Sequence, residues 1–247
     1  MRASLSRQRN PVAYESPVNC IPKLHPQTAS PDRLPWLTEL RDVAVNNPQI
    51  QTKVDPYVLV EAKPHTFIFT IDGALPPAIC AEMIRRFEAN PDQQYLGRIG
   101  QDAHSDRSIK KSTDLVVSNK ADWKDVDGFL FKSLALAMRE FRERYPYFKG
   151  PFKDSGYAIQ RTNVGEHYHW HIDGGSHDFS QRQLVAVWYL NDVPGPGGET
   201  EFLFQDVKVQ PKQGRLVLFP PFWTHEHRGV TLEAGVKYIA TTWVVFA

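Results

Sequence analysis

A chain of 247 residues can bury a sizeable core, and its length admits one large β-domain or two small domains. Its 29 basic and 28 acidic side chains leave a net charge of +1, which gives no electrostatic footing for nucleic acid or an anionic membrane surface. No stretch approaches the roughly 18 apolar residues of a membrane span, and two cysteines, Cys20 and Cys80, point to a reducing, cytoplasmic setting rather than a disulfide framework.

The first ten residues carry arginines with no apolar run behind them, so they do not read as a secretory signal. They are acid-free as far as Glu15, a composition shared by organelle transit peptides and by plain polar termini. Residues 1–55 are rich in Pro, Asn, Gln and Ser, and are expected to form an extended, partly disordered arm. A short helix is expected within it from Pro35 to Val43, anchored by Trp36 and Leu37.

From residue 56 the texture changes. Tyr57 to Val60 and Thr66 to Ile71 are β-branched and aromatic runs that read as strands. Leu75-Pro76-Pro77 opens a helix to about Glu88, with Ile79, Met83, Ile84 and Phe87 at helical spacing. A polar loop holds Lys110, Lys111 and Asp114, and Leu115 to Val117 reads as a strand. A second helix is predicted from about Trp123 to Tyr145, presenting Val126, Phe129, Leu130, Leu134, Met138 and Phe141 on one face.

After Gly156 short strands alternate with Gly, Pro and Asp turns: Tyr157–Gln160, His167–Ile172, Leu184–Leu190, Glu201–Phe204, Arg215–Phe219 and Val236–Phe246. Two helices followed by many short strands predict an α+β chain whose larger part is a sandwich or barrel.

Six of the nine histidines lie between residues 167 and 227. Side chains alternate faces along a strand, so His171 and Asp173 can converge. An imidazole and a carboxylate aimed at one point are two members of the two-His, one-carboxylate triad that holds non-haem Fe(II) and leaves positions open for oxygen chemistry. The third ligand would come from a distant strand, where alternation alone leaves His225 and His227 both open. Lys237 stands in the otherwise apolar Val236–Phe246 run, where a buried ammonium requires an anionic partner unless its head snorkels to solvent. Trp243 has the same strand parity and could wall the same pocket.

The order His171-x-Asp173, Tyr189-Leu190-Asn191, Gly197-Gly-Glu-Thr-Glu-Phe202, Pro211-x-x-Gly214 and His227-Arg-Gly, followed by Lys237 ten residues after His227, resembles the Fe(II)- and 2-oxoglutarate-dependent oxygenases of the prolyl-4-hydroxylase-like group. The resemblance covers about residues 157 to 247. It implies a double-stranded β-helix (a jelly roll) with supporting N-terminal helices, over a dioxygenase domain of residues 56–247. It implies Fe(II) held by His171, Asp173 and His227. It further implies 2-oxoglutarate anchored by Lys237 with Tyr189 assisting and Trp243 as wall, O2 as co-substrate, and room for ascorbate as an accessory. The implied reaction hydroxylates an unactivated C–H bond and releases succinate and CO2. Its substrate would be a peptidyl residue such as proline, a free amino acid or a small metabolite. Arg161 and Thr162 stand where many members carry a tyrosine, and an arginine there could read an anionic substrate group. With Arg182 and the 104–114 and 174–182 loops, they are the candidate substrate contacts, set against ordinary solvated loops.

Two other classes compete. A cupin-type metal dioxygenase without 2-oxoglutarate would use His169 and His171 with a later carboxylate and His225 or His227, leaving Lys237 without a role. A non-catalytic jelly-roll binding module would keep the fold without needing a triad.

Overall fold

The computed structural model describes residues 57–100, 102–193 and 195–247. The arm of residues 1–55, with the helix expected from Pro35 to Val43, lies outside them.

In chain order the elements are β1 (Val60–Glu61), β2 (Phe69–Ile71), α1 (Pro77–Ala89), β3 (Tyr95–Leu96), β4 (Thr113–Val116), α2 (Lys124–Arg144), β5 (Phe152–Asp154) and β6 (Ala158–Thr162). They continue with β7 (Tyr168–His171), β8 (Arg182–Tyr189), β9 (Thr200–Phe202), β10 (Val207–Val209), β11 (Leu216–Phe219), β12 (His227–Gly229) and β13 (Lys237–Phe246). The large sheet runs β1-β2-β11-β8-β13-β6-β4-β3, with β5 also on β13, and the small one runs β10-β9-β12-β7. This is the double-stranded β-helix expected from the sequence, with α1 and α2 as its supporting helices.

Alternation divides the long strands between two faces. On β8, Leu184, Ala186 and Trp188, with Leu190 just past its end, join the helix-side core, with Cys80, Met83 and Phe87 of α1 and Leu130, Leu134 and Phe141 of α2. Val185, Val187 and Tyr189 face the small sheet, where they pack with Val217, Phe219 and Phe202. Ser133 pins α2 to the sheet: its hydroxyl donates to Ala74 O (2.9 Å) and accepts from Trp188 Nε1 (2.9 Å). Proline at the first position of α1 costs nothing, because that N–H has no helical acceptor.

The N-terminal strands are shorter than the sequence suggests. His65 and Phe67 take φ of 64° and 55°, and Thr66 folds back onto Lys63 O, so the run from Thr66 begins as a turn and pairs only from Phe69. No helix among the described residues is long and apolar enough to cross a membrane.

Candidate metal centre

The small sheet builds the centre by pairing β12 antiparallel to β7 with His227 directly opposite His171. Asp173 lies just beyond β7 in a bend, not within the strand. Its amide donates to Pro221 O at 3.0 Å, and this turns the carboxylate back toward the histidines. One donor atom from each of the three lies within 4.8 Å of the others, and His227 Nε2 is 3.3 Å from an Asp173 carboxylate oxygen.

Both imidazoles are fixed by their second nitrogen. His171 Nδ1 is 2.7 Å from His169 O, and His227 Nδ1 is 3.0 Å from His225 O. A carbonyl only accepts, so each Nδ1 carries the proton and each Nε2 is left bare for a metal. Burial, reinforced by the neighbouring His227 ring, pushes the His171 pKa down to about 3 and keeps it neutral. Burial alone would raise the Asp173 carboxyl, but the neighbouring His227, with His171 and Arg182, outweighs it and holds the group ionised, below the usual carboxylate range. A neutral His171 imidazole and an ionised Asp173 carboxylate are protonation states a divalent metal requires.

A β-bulge explains why the alternation of His167, His169 and His171 does not carry through. Opposite Gly229 stands Tyr168 rather than His169, so His169 turns out to solvent. The Tyr168 ring instead stacks on His171, with centroids 3.5 Å apart and planes at 13°. The donor set that would have used His169 is therefore not assembled. His225 is settled by the same kind of argument. It sits in a 3-10 turn, Trp223–His225, not on the strand, and it is buried rather than at a surface mouth. Its Nε2 donates to Thr66 O (2.8 Å) while Nδ1 accepts from the Thr224 hydroxyl (2.9 Å). With both nitrogens engaged it has no lone pair for a metal.

The triad opens on a cavity of about 120 Å³ whose other walls include Thr162, Val185, Val187, Thr200, Lys237, Ile239 and Trp243. Lys237 is fully buried, and its ammonium donates to Gly198 O at 2.9 Å. No carboxylate among the described residues lies within ion-pairing distance of it. Burial lowers its pKa from 10.5 to about 8, with Glu199 opposing from farther off. The Gly197-Gly198 pair is what brings that carbonyl close. Both residues take positive φ (83° and 85°), and a Cβ on Gly197 would lie 2.0 Å from Thr231 O. Trp243 walls the cavity, and its indole N–H is buried with no hydrogen-bond partner among the described residues. Tyr189 stands behind that wall, its hydroxyl 2.6 Å from Thr200 Oγ1, so Thr200 and not the tyrosine meets the cavity.

The expected substrate residues divide. Thr162 pairs with Lys237 across β6 and β13 and faces the cavity. Arg161 pairs with Tyr238 and therefore faces the helices, which corrects the expectation that it reads a substrate. Its guanidinium donates to Glu88 on α1 (2.8 Å) and lies over the Phe87 ring. Arg182 is likewise a brace and not a cavity wall. It donates to Asp173 O (2.7 Å) and is sandwiched between Phe179 (3.9 Å) and Trp243 (3.8 Å). His177 on the 174–182 loop is fully solvated.

The 104–114 loop proves more than a solvated connection. Lys111 N donates to His167 O, and His169 N donates to Ile109 O, both at 2.7 Å, so Ile109–Lys111 lies as a further edge along β7. Lys110 is buried there, bonded to Asp114 (2.8 Å) and 5.2 Å above the Tyr168 ring. The i, i+4 spacing of Lys110 and Asp114 was visible in the sequence, but only the edge pairing shows where it lies. Thr200 also went unselected, although it sits within the Gly197–Phe202 motif.

Comparison with known proteins agrees with the geometry. Residues 157–245 match the model of the 2OG-Fe(II) oxygenase superfamily, so the resemblance carried by the ordered motifs is borne out. A PKHD-type hydroxylase of Synechococcus sp. (strain CC9902) is 26% identical over 131 residues, 52% of this chain and 52% of that protein. The chain thus spans about half the length of the curated relative it matches. Two solved structures share the fold. A prolyl hydroxylase from Trichoplax adhaerens, in complex with a hypoxia inducible factor oxygen degradation domain peptide fragment, superposes with a TM-score of 0.63 at 16% identity. The match covers 87% of this chain and 94% of that one. A Pseudomonas putida prolyl-4-hydroxylase gives 0.57 at 17% identity, over 73% and 93%.

Proposed function

We propose that residues 57–247 form an Fe(II)- and 2-oxoglutarate-dependent hydroxylase acting on an unactivated C–H bond of a peptidyl residue such as proline, a free amino acid or a small metabolite. The observation that carries this reading is Lys237: a buried ammonium with no carboxylate in ion-pairing distance among the described residues, on the wall of the cavity that the triad opens into. Burying such a charge is expensive unless a ligand supplies the opposite charge. A cupin-type dioxygenase or a bare binding module gives it no purpose.

The residues present fit the group the reading requires. His171, His227 and Asp173 would hold Fe(II) with two imidazole nitrogens and one carboxylate, the donor set that leaves positions open for oxygen chemistry. When bound, the metal and 2-oxoglutarate supply a hydroxylation coupled to decarboxylation, with succinate and CO2 as co-products. The protein's part is positional. The carbonyls of His169 and His225 hold the imidazoles in register, and Arg182 holds the Asp173 turn. Lys237 and Thr200 would receive the distal carboxylate of the cosubstrate. Val185, Val187, Ile239 and Phe219 line the cavity with apolar surface that excludes water. Trp243 closes one side of the same cavity with its indole ring.

The test uses the full chain with Fe(II) under argon. Adding 2-oxoglutarate produces the visible metal-to-ligand charge-transfer band, and admitting air then yields succinate. With a metabolite and peptide library present, a product heavier by one oxygen atom appears. Absence of both band and succinate overturns the reading.

A further inference from the structure

The centre and its cosubstrate would balance one another in charge: a divalent cation and Lys237 against Asp173 and the two carboxylates of 2-oxoglutarate. Beyond that set, three more cations line the cavity, Arg98, Lys110 and Lys111, and among the described residues Asp173 is its only acidic wall residue. Lys110 is neutralised by Asp114. The other two are not. Among the described residues Arg98 rests only on the Tyr95 ring, 4.5 Å from the centroid, and Lys111 has no side-chain partner. The acids of the same loop are already committed. Asp102 binds His104, Asp106 caps Ser108, and Glu166 across the mouth pairs with Arg107.

The backbone that carries these residues is anchored. Gly97 N donates to Ser112 O at 3.0 Å, which closes the two ends of the loop on each other, and Lys111 N donates to His167 O, which ties that end to β7. A Cβ on Gly97 would lie 2.3 Å from Ser112 Oγ, so close approach at this crossing requires glycine. A half-buried lysine and an arginine held without carboxylates at one mouth attract and orient an anion.

Resting on the proposed function, we infer that Lys111 and Arg98 select a prime substrate bearing an oxyanion, a carboxylate or phosphate group set apart from the carbon that is hydroxylated. The structure thereby moves the role first considered for Arg161 onto the loop that borders β7.

The experiment adds matched probes to the full chain loaded with Fe(II) and saturating 2-oxoglutarate under argon, and reads perturbation of the charge-transfer band. The pairs are glutamate against glutamine, phosphoserine against serine, and an acidic hexapeptide against its glutamine counterpart. These arms separate free carboxylate, phosphate and peptide sources of the same chemistry. At least one anionic member should perturb the band at tenfold lower concentration than its neutral twin, with the advantage shrinking as salt rises. The double variant Lys111→Ala/Arg98→Gln should form the same band with 2-oxoglutarate but lose the preference. If the band never forms, the functional reading itself has failed. If it forms and no anionic probe outperforms its twin, or the double variant keeps the preference, this inference is wrong.

Discussion

Lys237 is where the functional reading is most exposed to test, because stability and affinity should move in opposite directions there. Lys237→Met replaces the ammonium by an apolar chain of similar volume. In the ligand-free protein, the depressed pKa shows that the buried charge is borne at a loss, so the methionine variant should be at least as heat-stable as the native chain. Affinity for 2-oxoglutarate should fall instead. Truncating one partner of a buried charge pair costs on the order of 3–5 kcal/mol, roughly two to four powers of ten in Kd. The native chain carries a second signature. With a free-site pKa of about 8, the lysine is already protonated below that pH, and affinity there is flat. Above it a proton must be taken up as the dianion binds, so Kd should rise toward tenfold per pH unit. Calorimetric or band titrations between about pH 7 and 9.5 on both proteins read this directly. A native profile flat across that range, or a methionine variant with unchanged affinity, would refute the anchor. A variant that loses stability and affinity together would show general disruption instead.

Three further outcomes are expected. His227→Ala should abolish the charge-transfer band, whereas His225→Ala keeps it with metal affinity lowered by at most about 10–100-fold, since only an orienting contact is loosened; titration with Fe(II) under argon separates the two. Arg182→Ala removes the brace on Asp173 and should weaken Fe(II) binding by about 10–100-fold while circular dichroism shows the fold intact, and full affinity in this variant would remove Arg182 from the site. A chain beginning near Val54 should still bind Fe(II), because every donor in the triad lies at residue 171 or later; failure of that folded chain would show that the arm completes the centre.

Much of the fold was legible because its signals are periodic. The 3.6-residue spacing over α1 and α2, and the apolar runs that became β8, β11 and β13, report burial directly. What the sequence concealed lies where pairing overrides local pattern. Val207–Val209 and His227–Gly229 are three residues each, too short for alternation to show, and become strands only because β9 has two edges to fill. The turn at His65 and Phe67 cut a convincing apolar run in half by backbone geometry that composition does not encode.

The site divides the same way. Lys237 carried its own argument in the sequence, as a costly residue in an apolar strand, whereas His171-x-Asp173 alone is a weak signal that gains weight from the ordered motifs after it. Arg161 and His169 misled because strand parity holds only while the register does. One bulge between His227 and Gly229 exchanged His169 for Tyr168, and the pairing of β6 with β13 set Arg161 against Tyr238 on the helix side. Once that register is known, the pairing of Thr162 with Lys237 puts Arg161 on the opposite, helix-facing side. The loop cations differ in kind: nothing local distinguishes Lys111 from a solvated lysine. Only its backbone bond to His167, 56 positions along the chain, brings it to the mouth of the centre, so the proposed substrate charge is a property of the pairing, beyond the reach of any motif.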